Sequence, residues 1–167
     1  MILSSRIDTP IGPLVLLARE GILLMLEFED AEPRVEREMR ARFRGEDHQP
    51  TEDPFGFCTR IRAYFAGDLS TIGGIATDGG GTEFQRRVWA ELKRIPCSVT
   101  ISYGELARRL GDPKAVRAVG TANGRNPIAI VVPCHRVIGA DGSLVGYGGG
   151  MDRKRWLLVH EGALLDV

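Results

Sequence analysis

An apolar run that ends in Pro-Cys-His-Arg, residues 128–136, constrains this chain more than any other stretch. Its five apolar residues lead through a proline to Cys134 and His135, which predicts a buried strand that presents a thiol at its end. Thiolate is the reactive form of cysteine, so a nucleophilic thiol needs a base or a positive charge beside it to lower its pKa. His135, Arg136 and Arg125 are the candidates, and we interpret Cys134 as a nucleophile rather than as a small core residue.

Length and composition favour a globular protein without a metal. A chain of 167 residues, 43% of them hydrophobic, can form one compact unit or two small domains. No apolar run has the roughly 20 residues of a membrane helix, and no basic segment precedes an apolar one at the N-terminus, so we expect a cytoplasmic protein. The three cysteines, at positions 58, 97 and 134, lack the C-x-x-C spacing of a zinc cluster and are too few for a disulfide framework.

Charge is distributed unevenly along the chain although the net charge is zero. Residues 1–84 carry nine basic and fifteen acidic side chains, a net charge of −6, whereas residues 85–136 carry ten basic and three acidic ones, a net charge of +7. Positive charge is therefore concentrated in the segment that leads to Cys134. This asymmetry indicates a surface that binds a polyanion, although two solvated helices would show the same pattern.

The first half has the pattern of a small sheet followed by helices. Residues 2–7, 12–18 and 22–28 are rich in Ile, Leu and Val and are separated by turn residues, which predicts a three-stranded antiparallel meander. Asp30 is a possible cap for a helix that runs from Pro33 to about Gly45. A second helix is predicted over residues 55–65, in which Cys58 is a packing residue.

Glycine-rich residues 73–81 predict a linker between an N-terminal scaffold, residues 1–72, and a C-terminal domain, residues 82–167. Thr82 and Gln85 have the spacing of a capping box at the start of the next helix.

Two short helices joined by a glycine-containing turn predict a helix-turn-helix in the C-terminal domain. Ser102 and Glu105 would cap the first helix, and Asp112-Pro113 would start the second, with Val116 packed inward. The outer face of the second helix combines small residues with cations, as a helix that approaches a nucleic acid backbone requires. That face contains Lys114, Arg117, Ala118, Thr121 and Arg125.

Two features follow the reactive segment. Residues 137–145 predict a short hairpin, or wing, around a turn at residues 140–142. Glycine-rich residues 146–150 lack the lysine and the spacing of a phosphate loop, so we expect them to leave room for a flat ligand beside the thiol.

These motifs make the C-terminal half similar to the O6-alkylguanine-DNA alkyltransferases, a family of DNA-repair proteins that each act once. The similarity covers about residues 82–163 and includes Ser-Tyr-Gly-Glu-Leu-Ala at 102–107, Arg-Ala-Val-Gly at 117–120, Asn-Pro-Ile at 126–128, Val-Pro-Cys-His-Arg-Val-Ile at 132–138 and Gly-Tyr-Gly-Gly-Gly at 146–150. Cys97 and Ser98 depart from the tyrosine and glycine that are usual in the family.

The resemblance implies an α+β fold, with a ribonuclease-H-like sheet followed by a winged-helix-like domain that carries the active site. It implies transfer of an alkyl group from O6-alkylguanine in duplex DNA to Cys134, without a cofactor or a metal. His135 would be the base that acts through a water, Glu161 the carboxylate that orients it, and Asn126 the brace of the turn before the reactive segment. We expect a monomer without an obligatory protein partner.

The family also implies roles in recognising the damaged base, which must leave the duplex before the thiol can reach it. Arg117 would fill the vacated space, and Tyr103 would promote rotation of the nucleotide and donate a hydrogen bond to the base. The carbonyls of Cys134 and Val137 would bind the exocyclic amine. Tyr147 and Gly148 would line the pocket.

Two alternatives from other classes stay open on the sequence alone. A non-catalytic DNA-binding protein could use the same helices without needing Cys134. A cysteine hydrolase could use Cys134, His135 and Glu161, and would then turn over repeatedly.

Overall fold

The computed structural model describes residues 1–31 and 33–165 and confirms the α+β fold class. The strands are β1 (Ile2–Ile7), β2 (Leu14–Arg19), β3 (Ile22–Phe28), β4 (His48–Pro50), β5 (Ile101–Ser102) and β6 (Val137–Ile138). The helices are α1 (Pro33–Arg42), α2 (Phe57–Phe65), α3 (Glu83–Leu92), α4 (Tyr103–Arg109), α5 (Val116–Gly124) and α6 (Met151–His160), with 3₁₀ turns at Pro54–Gly56 and Cys134–Arg136. In the described ranges, no helix is both long enough and apolar enough to cross a bilayer.

The N-terminal sheet is organised around the predicted meander. β1 pairs antiparallel with β2, and β2 pairs antiparallel with β3. A fourth strand that the sequence did not predict, β4, pairs parallel with the other edge of β1. Its three residues, His-Gln-Pro, are all exposed, so β4 lacks the apolar alternation from which strands are recognised.

Both faces of this sheet are buried. Leu16 and Leu26 belong to the main core, which is shared with the helices of the second half. Leu17 and Leu24 point to the other face, where Val35 and other residues of α1 cover them. Val35 and Met39 form the buried side of α1.

Asp30, predicted as a possible cap of α1, has a different partner, and the residue directly before the helix lies outside the described residues. The helix begins at Pro33, and the carboxylate of Asp30 instead binds the guanidinium of Arg153 at the start of α6. Asp30 therefore connects the end of the first sheet to the last helix.

Residues 73–81, predicted as a linker, are attached to the first sheet. The amide of Leu23 donates to the carbonyl of Ala76, and the carbonyl of Leu23 accepts from the amide of Asp78. Ile75, in the same segment, is buried. The division of the chain into residues 1–72 and 82–167 stays a prediction, and the last two residues of the second range lie outside the described residues.

The second half contains the predicted helices with one changed boundary. Thr82 and Gln85 form the full capping box of α3, and the Ser102 hydroxyl accepts a hydrogen bond from the amide of Glu105 at the start of α4. Helix α5 begins at Val116 rather than at Pro113, because residues 112–115 form a separate turn without a side-chain cap. Val116, which was predicted to pack inward, is exposed.

The predicted wing is also wrong. β6 pairs in parallel with β5, so Val137 lies beside Ile101 and makes no hairpin with residues 144–145. Only the turn is present, closed by a hydrogen bond from the amide of Gly139 to the carbonyl of Ser143.

The apolar run before Cys134 is buried but is not a strand. The run contacts the first sheet at Leu26. The amide of Leu26 donates to the carbonyl of Pro127, and its carbonyl accepts from the amide of Ala129. It then turns, with Ile130 at a φ of 72°. A β-branched residue rarely adopts this left-handed conformation, so the turn before the thiol is held by its surroundings.

Ser98, which departs from the resembled family's glycine, also has a positive φ, of 69°. Glycine adopts this conformation without steric cost, whereas serine does not. The usual family residue therefore suits the backbone that this chain forms.

We expect Leu26→Ala to lower the free energy of unfolding by about 3 kcal/mol, because it removes a fully buried side chain at the contact between the sheet and the reactive segment. Leu165→Ala is the control, since Leu165 is 80% exposed. Urea titrations followed by circular dichroism measure both changes, and equal effects would contradict the central position of Leu26.

Candidate active site

The Cys134 side chain is nearly buried, with 8% of the residue exposed. Cys134 begins the 3₁₀ turn, and its amide donates to the carbonyl of Val132 over 2.8 Å. Burial raises the pKa of the thiol to about 11, because the surrounding side chains disfavour the thiolate. The thiol is therefore protonated near neutral pH, and its reaction requires a base.

The cations that the sequence suggested do not lie against the thiol. Arg136 binds Glu161, and Arg125 lies 3.5 Å from Glu38 on α1. Lys154 is the cation that lowers the pKa of Cys134, although less than burial raises it.

Lys154 is fully buried, and its ammonium is held by backbone oxygens. Nζ donates to the carbonyls of Val137 at 2.7 Å, Val145 at 2.8 Å and Gly146 at 3.3 Å. Burial lowers the pKa of Lys154 to about 8. Lys154 thus ties α6 to the segment after the thiol.

His135 is fully buried and hydrogen-bonds the carboxylate of Glu161, with 3.0 Å between Nε2 and Oε2. Because a carboxylate can only accept, Nε2 carries the hydrogen and Nδ1 has the free lone pair. Nδ1 is buried and has no hydrogen-bond partner among the described residues. Burial lowers the pKa of His135 below its usual value, which keeps the ring neutral and able to accept a proton.

Glu161 is 3% exposed and receives four hydrogen bonds. Besides His135, Arg136 donates to Oε1 at 2.8 Å and to Oε2 at 2.9 Å, and the hydroxyl of Tyr64 donates to Oε2 at 2.7 Å. Burial alone would raise the pKa of Glu161, but the hydrogen bonds from His135 and Arg136 hold it well below its usual range. Glu161 is therefore ionised and fixes the position of the imidazole.

Arg136 completes this network from the other side. Its Nη1 donates to the carbonyl of Ile95 at 2.6 Å, and its Nη2 contacts the sulfur of Cys97 at 2.9 Å. The guanidinium of Arg136 thus neutralises Glu161 and is unavailable to the thiol of Cys134.

A cavity lies beside Cys134, and the glycine-rich segment forms one wall of it. Tyr147 and Gly148 line this cavity together with Asn123. The Tyr147 hydroxyl and the Asn123 side-chain oxygen are buried without a hydrogen-bond partner among the described residues. Buried polar atoms normally have partners, so these two are available to a ligand.

The carbonyls of Cys134 and Val137, which were expected to bind the exocyclic amine of the base, already accept hydrogen bonds from side chains. The carbonyl of Val137 accepts from Lys154, and that of Cys134 accepts from the Asn123 amide over 3.4 Å. A carbonyl oxygen has two lone pairs, so each can accept a second hydrogen bond.

Asn126 holds the turn that leads to the thiol. Its amide nitrogen donates to the carbonyls of Val132 at 2.7 Å and Ile128 at 3.2 Å, and its oxygen accepts from the amide of Ile128 at 3.0 Å. These three bonds satisfy backbone groups that no strand ladder satisfies, and they position the chain before Cys134.

Helices α4 and α5 form the predicted pair, and much of the expected outer face is exposed. Lys114, Arg117, Ala118 and Thr121 are exposed, with Lys114 in the turn before α5. Arg125 is partly buried and paired with Glu38, so it is tied to the N-terminal half.

Tyr103 connects this helix pair to the segment just before the glycine-rich wall of the cavity. It is the first residue of α4, its ring lies against Gly120 of α5, and its hydroxyl donates to the carbonyl of Val145 at 3.1 Å. Burial raises the pKa of Tyr103, and a thiolate at Cys134 would raise it further. The phenol therefore stays protonated near the thiol.

Sequence reasoning missed Tyr64 and Lys154 as site residues. Tyr64 fits the buried stripe of α2, and only its distant partner Glu161 reveals its polar role. The only local signal that Lys154 belongs to the site is that this charged residue lies on the buried side of α6, between Arg153 and Trp156.

Known proteins resemble the chain over nearly its whole length. The model of the 6-O-methylguanine DNA methyltransferase ribonuclease-like domain matches residues 2–78, and that of the DNA binding domain of the same family matches residues 83–163. The methylated-DNA–protein-cysteine methyltransferase of Shigella flexneri is 48% identical, with 98% of each chain covered. The crystal structure of Mycobacterium tuberculosis OGT in complex with DNA is 45% identical and has a TM-score of 0.83, covering 96% of this chain and 93% of that one. The O6-methylguanine-DNA methyltransferase of Pyrococcus kodakaraensis has a TM-score of 0.62 at 26% identity, covering 97% of this chain and 99% of that one.

We expect Glu161→Gln to lower the free energy of unfolding at pH 7 by about 3–5 kcal/mol, because it leaves Arg136 buried without its counter-charge. The folded pKa of Glu161 lies below its unfolded value, so its contribution is present above roughly pH 4.3 and is lost as the pH falls further. The variant should therefore lose less stability than the wild type between pH 5 and pH 3, roughly the range in which a free glutamate titrates.

Glu105→Gln is the control for this measurement. Glu105 pairs with Arg108 and Arg109 at the surface of α4, where an ion pair contributes about 1 kcal/mol or less. Chemical denaturation of the three proteins as a function of pH gives the comparison, and similar profiles for both variants would contradict a special role of Glu161.

Proposed function

The chain belongs to the 6-O-methylguanine DNA methyltransferase family and repairs DNA by alkyl transfer to a protein cysteine, and we propose that this cysteine is Cys134, which removes the alkyl group from O6 of guanine. The observation that carries the assignment is that the buried residue Cys134 lines a cavity and is followed directly by His135, which is paired with Glu161. Cys58 lies in the core of the first half, and Cys97 contacts Arg136.

His135 is the base in this proposal. Its Nδ1 accepts the thiol proton through a water, and the neutral imidazole that burial favours can take it. Glu161 is already ionised, so it stabilises the imidazolium that forms without itself taking the proton. Lys154 supplies positive charge as the thiolate develops.

The transfer is a single displacement at the alkyl carbon. The sulfur of Cys134 uses one electron pair to form the new carbon–sulfur bond, and the bond between the carbon and O6 breaks with its electron pair on guanine. The base takes up a proton and leaves as guanine, which balances the proton that the thiol gives to His135. The Tyr103 hydroxyl, which donates to the carbonyl of Val145 here, would turn to donate to the ring as charge develops. The product is a thioether, and no group among the described residues is assigned to reverse it, so each molecule acts once.

The damaged nucleotide has to leave the duplex to reach a thiol that is nearly buried. Arg117, on the exposed face of α5, occupies the vacated space in the stack, and Tyr103 promotes rotation of the nucleotide. The base then enters the cavity against Tyr147 and Gly148. The Tyr147 hydroxyl, which has no partner in residues 1–31 and 33–165, and the carbonyls of Cys134 and Val137 would give it hydrogen-bond partners.

The partner is double-stranded DNA that contains O6-alkylguanine. The small side chains of Ala118 and Thr121 let α5 approach the minor groove, and Lys114 reaches a phosphate. Arg125 would bind a phosphate by exchanging its present partner Glu38 for the DNA backbone. We propose a monomer in the cytoplasm that needs no protein partner.

We expect Cys134→Ser to abolish loss of O6-methylguanine from a methylated duplex, because an alcohol is a far weaker nucleophile than a thiol in this site. Wild-type protein should lose one equivalent of damage per molecule and gain one methyl group on the peptide that contains Cys134. Intact mass followed by peptide mapping measures both.

Cys58→Ser is the matched control and should react like the wild type, because Cys58 packs in the core against Ser5. Repeated turnover, or a methyl group on another cysteine, would contradict the assignment.

We expect Arg117→Ala to slow repair of duplex DNA by about tenfold or more while leaving the reaction with free O6-benzylguanine nearly unchanged, because only duplex DNA requires the base to be replaced in the stack. Arg155→Ala, an exposed arginine on α6, should slow neither reaction. Single-turnover rate constants on both substrates give the comparison, and equal losses for Arg117→Ala would remove its proposed role.

A further inference from the structure

The first sheet contributes a carboxyl group to the cavity beside the thiol. Leu26 on β3 makes two backbone hydrogen bonds to the reactive segment, to Pro127 and from Ala129. The next residue on that strand is Glu27, whose side chain lines the cavity together with Cys134. The contact between the two halves therefore delivers Glu27 to the site.

Glu27 is held in place within this wall. Its Oε1 accepts a hydrogen bond from the amide of Phe28 at 2.9 Å, which fixes the carboxyl group. Burial raises the pKa of Glu27 to about 7, partly offset by this bond and by Arg153, and slightly increased by Asp30. Glu27 is therefore protonated in part at neutral pH and ionised above it.

Other charged groups surround the same space. Arg34 lines the cavity opposite the glycine-rich segment, and its Nη2 is engaged by the carbonyl of Gly124 at 3.0 Å. Lys154 lies under the glycine-rich segment and is occupied by three carbonyls. The negative charge of Glu27 raises the pKa of Cys134 by more than the positive charge of Lys154 lowers it. Of these two charges, Glu27 therefore has the greater effect at the reacting sulfur.

We propose that Glu27 is a specificity-determining residue that disfavours guanines whose O6 substituent carries a negative charge. The inference rests on the proposed function, because it takes the O6 substituent to lie against Cys134. The substituent then shares a largely enclosed space with the Glu27 carboxylate, where two like charges repel more strongly than in water. A neutral substituent of the same size does not experience this repulsion.

Three duplexes that differ only in the O6 substituent test the proposal: methyl, 2-hydroxyethyl and carboxymethyl. The hydroxyethyl group is one oxygen atom smaller than the carboxymethyl group and lacks its charge. Differences in size and in intrinsic reactivity are the same for every variant, so a change between variants in the ratio of the two single-turnover rates reports the effect of charge. We expect Glu27→Gln to raise the carboxymethyl-to-hydroxyethyl ratio about tenfold at pH 8. Glu29→Gln, two residues along the chain and paired with Arg6 at the surface, is the control and should leave the ratio unchanged.

The pH dependence gives a second readout. In the wild type the ratio should fall between pH 6 and pH 8 as Glu27 ionises, and in Glu27→Gln it should stay flat. Ionisation of the thiol affects both substrates equally and cancels in the ratio.

An unchanged ratio in Glu27→Gln overturns the inference, as does a wild type that prefers the carboxymethyl substrate and loses this preference in Arg34→Gln. Both outcomes leave the proposed function intact if methyl transfer to Cys134 continues. Absence of methyl transfer from the methylated duplex would refute the proposed function instead.

Discussion

The site depends on one buried carboxylate that holds three other side chains. Glu161 accepts hydrogen bonds from His135, Arg136 and Tyr64, and each of these bonds fixes a different part of the molecule. His135 is oriented with its free nitrogen available, Arg136 links the reactive turn to the end of α3, and Tyr64 links it to the first half. Such a network is stable only when every member is present, because a buried charge without its partner is costly.

A second constraint is the tension between burial and reactivity at Cys134. Burial protects the thiol and leaves a cavity beside it, but it also raises the pKa of the thiol to about 11. In the proposed mechanism the neutral imidazole of His135 accepts the proton, and the buried ammonium of Lys154 supplies positive charge. Proton transfer during the encounter with the substrate would then make a standing thiolate unnecessary.

Local signals in the sequence predicted the elements that local interactions form. The capping residues Thr82 and Ser102 were identified because their partners lie three residues away, and the three apolar strands were identified from composition and turn residues. The apolar run before Cys134 was misinterpreted as a strand, because its backbone bonds to Leu26 and Asn126 depend on the tertiary structure. Asp112-Pro113 has the composition of a helix start, yet the chain closes a separate turn there before α5 begins.

Within the site, the reactive pair of Cys134 and His135 was predictable because the two residues are adjacent in a distinctive motif. Glu161 was reached only through family resemblance, and Tyr64, Lys154 and Glu27 were missed as polar site residues. Each of these has partners or a cavity contributed by a remote part of the chain. The bond between Tyr64 and Glu161 joins residues that are 97 positions apart. A recombinant of two relatives would therefore keep this bond only where one parent supplies a phenol at position 64 and the other supplies an acceptor at position 161.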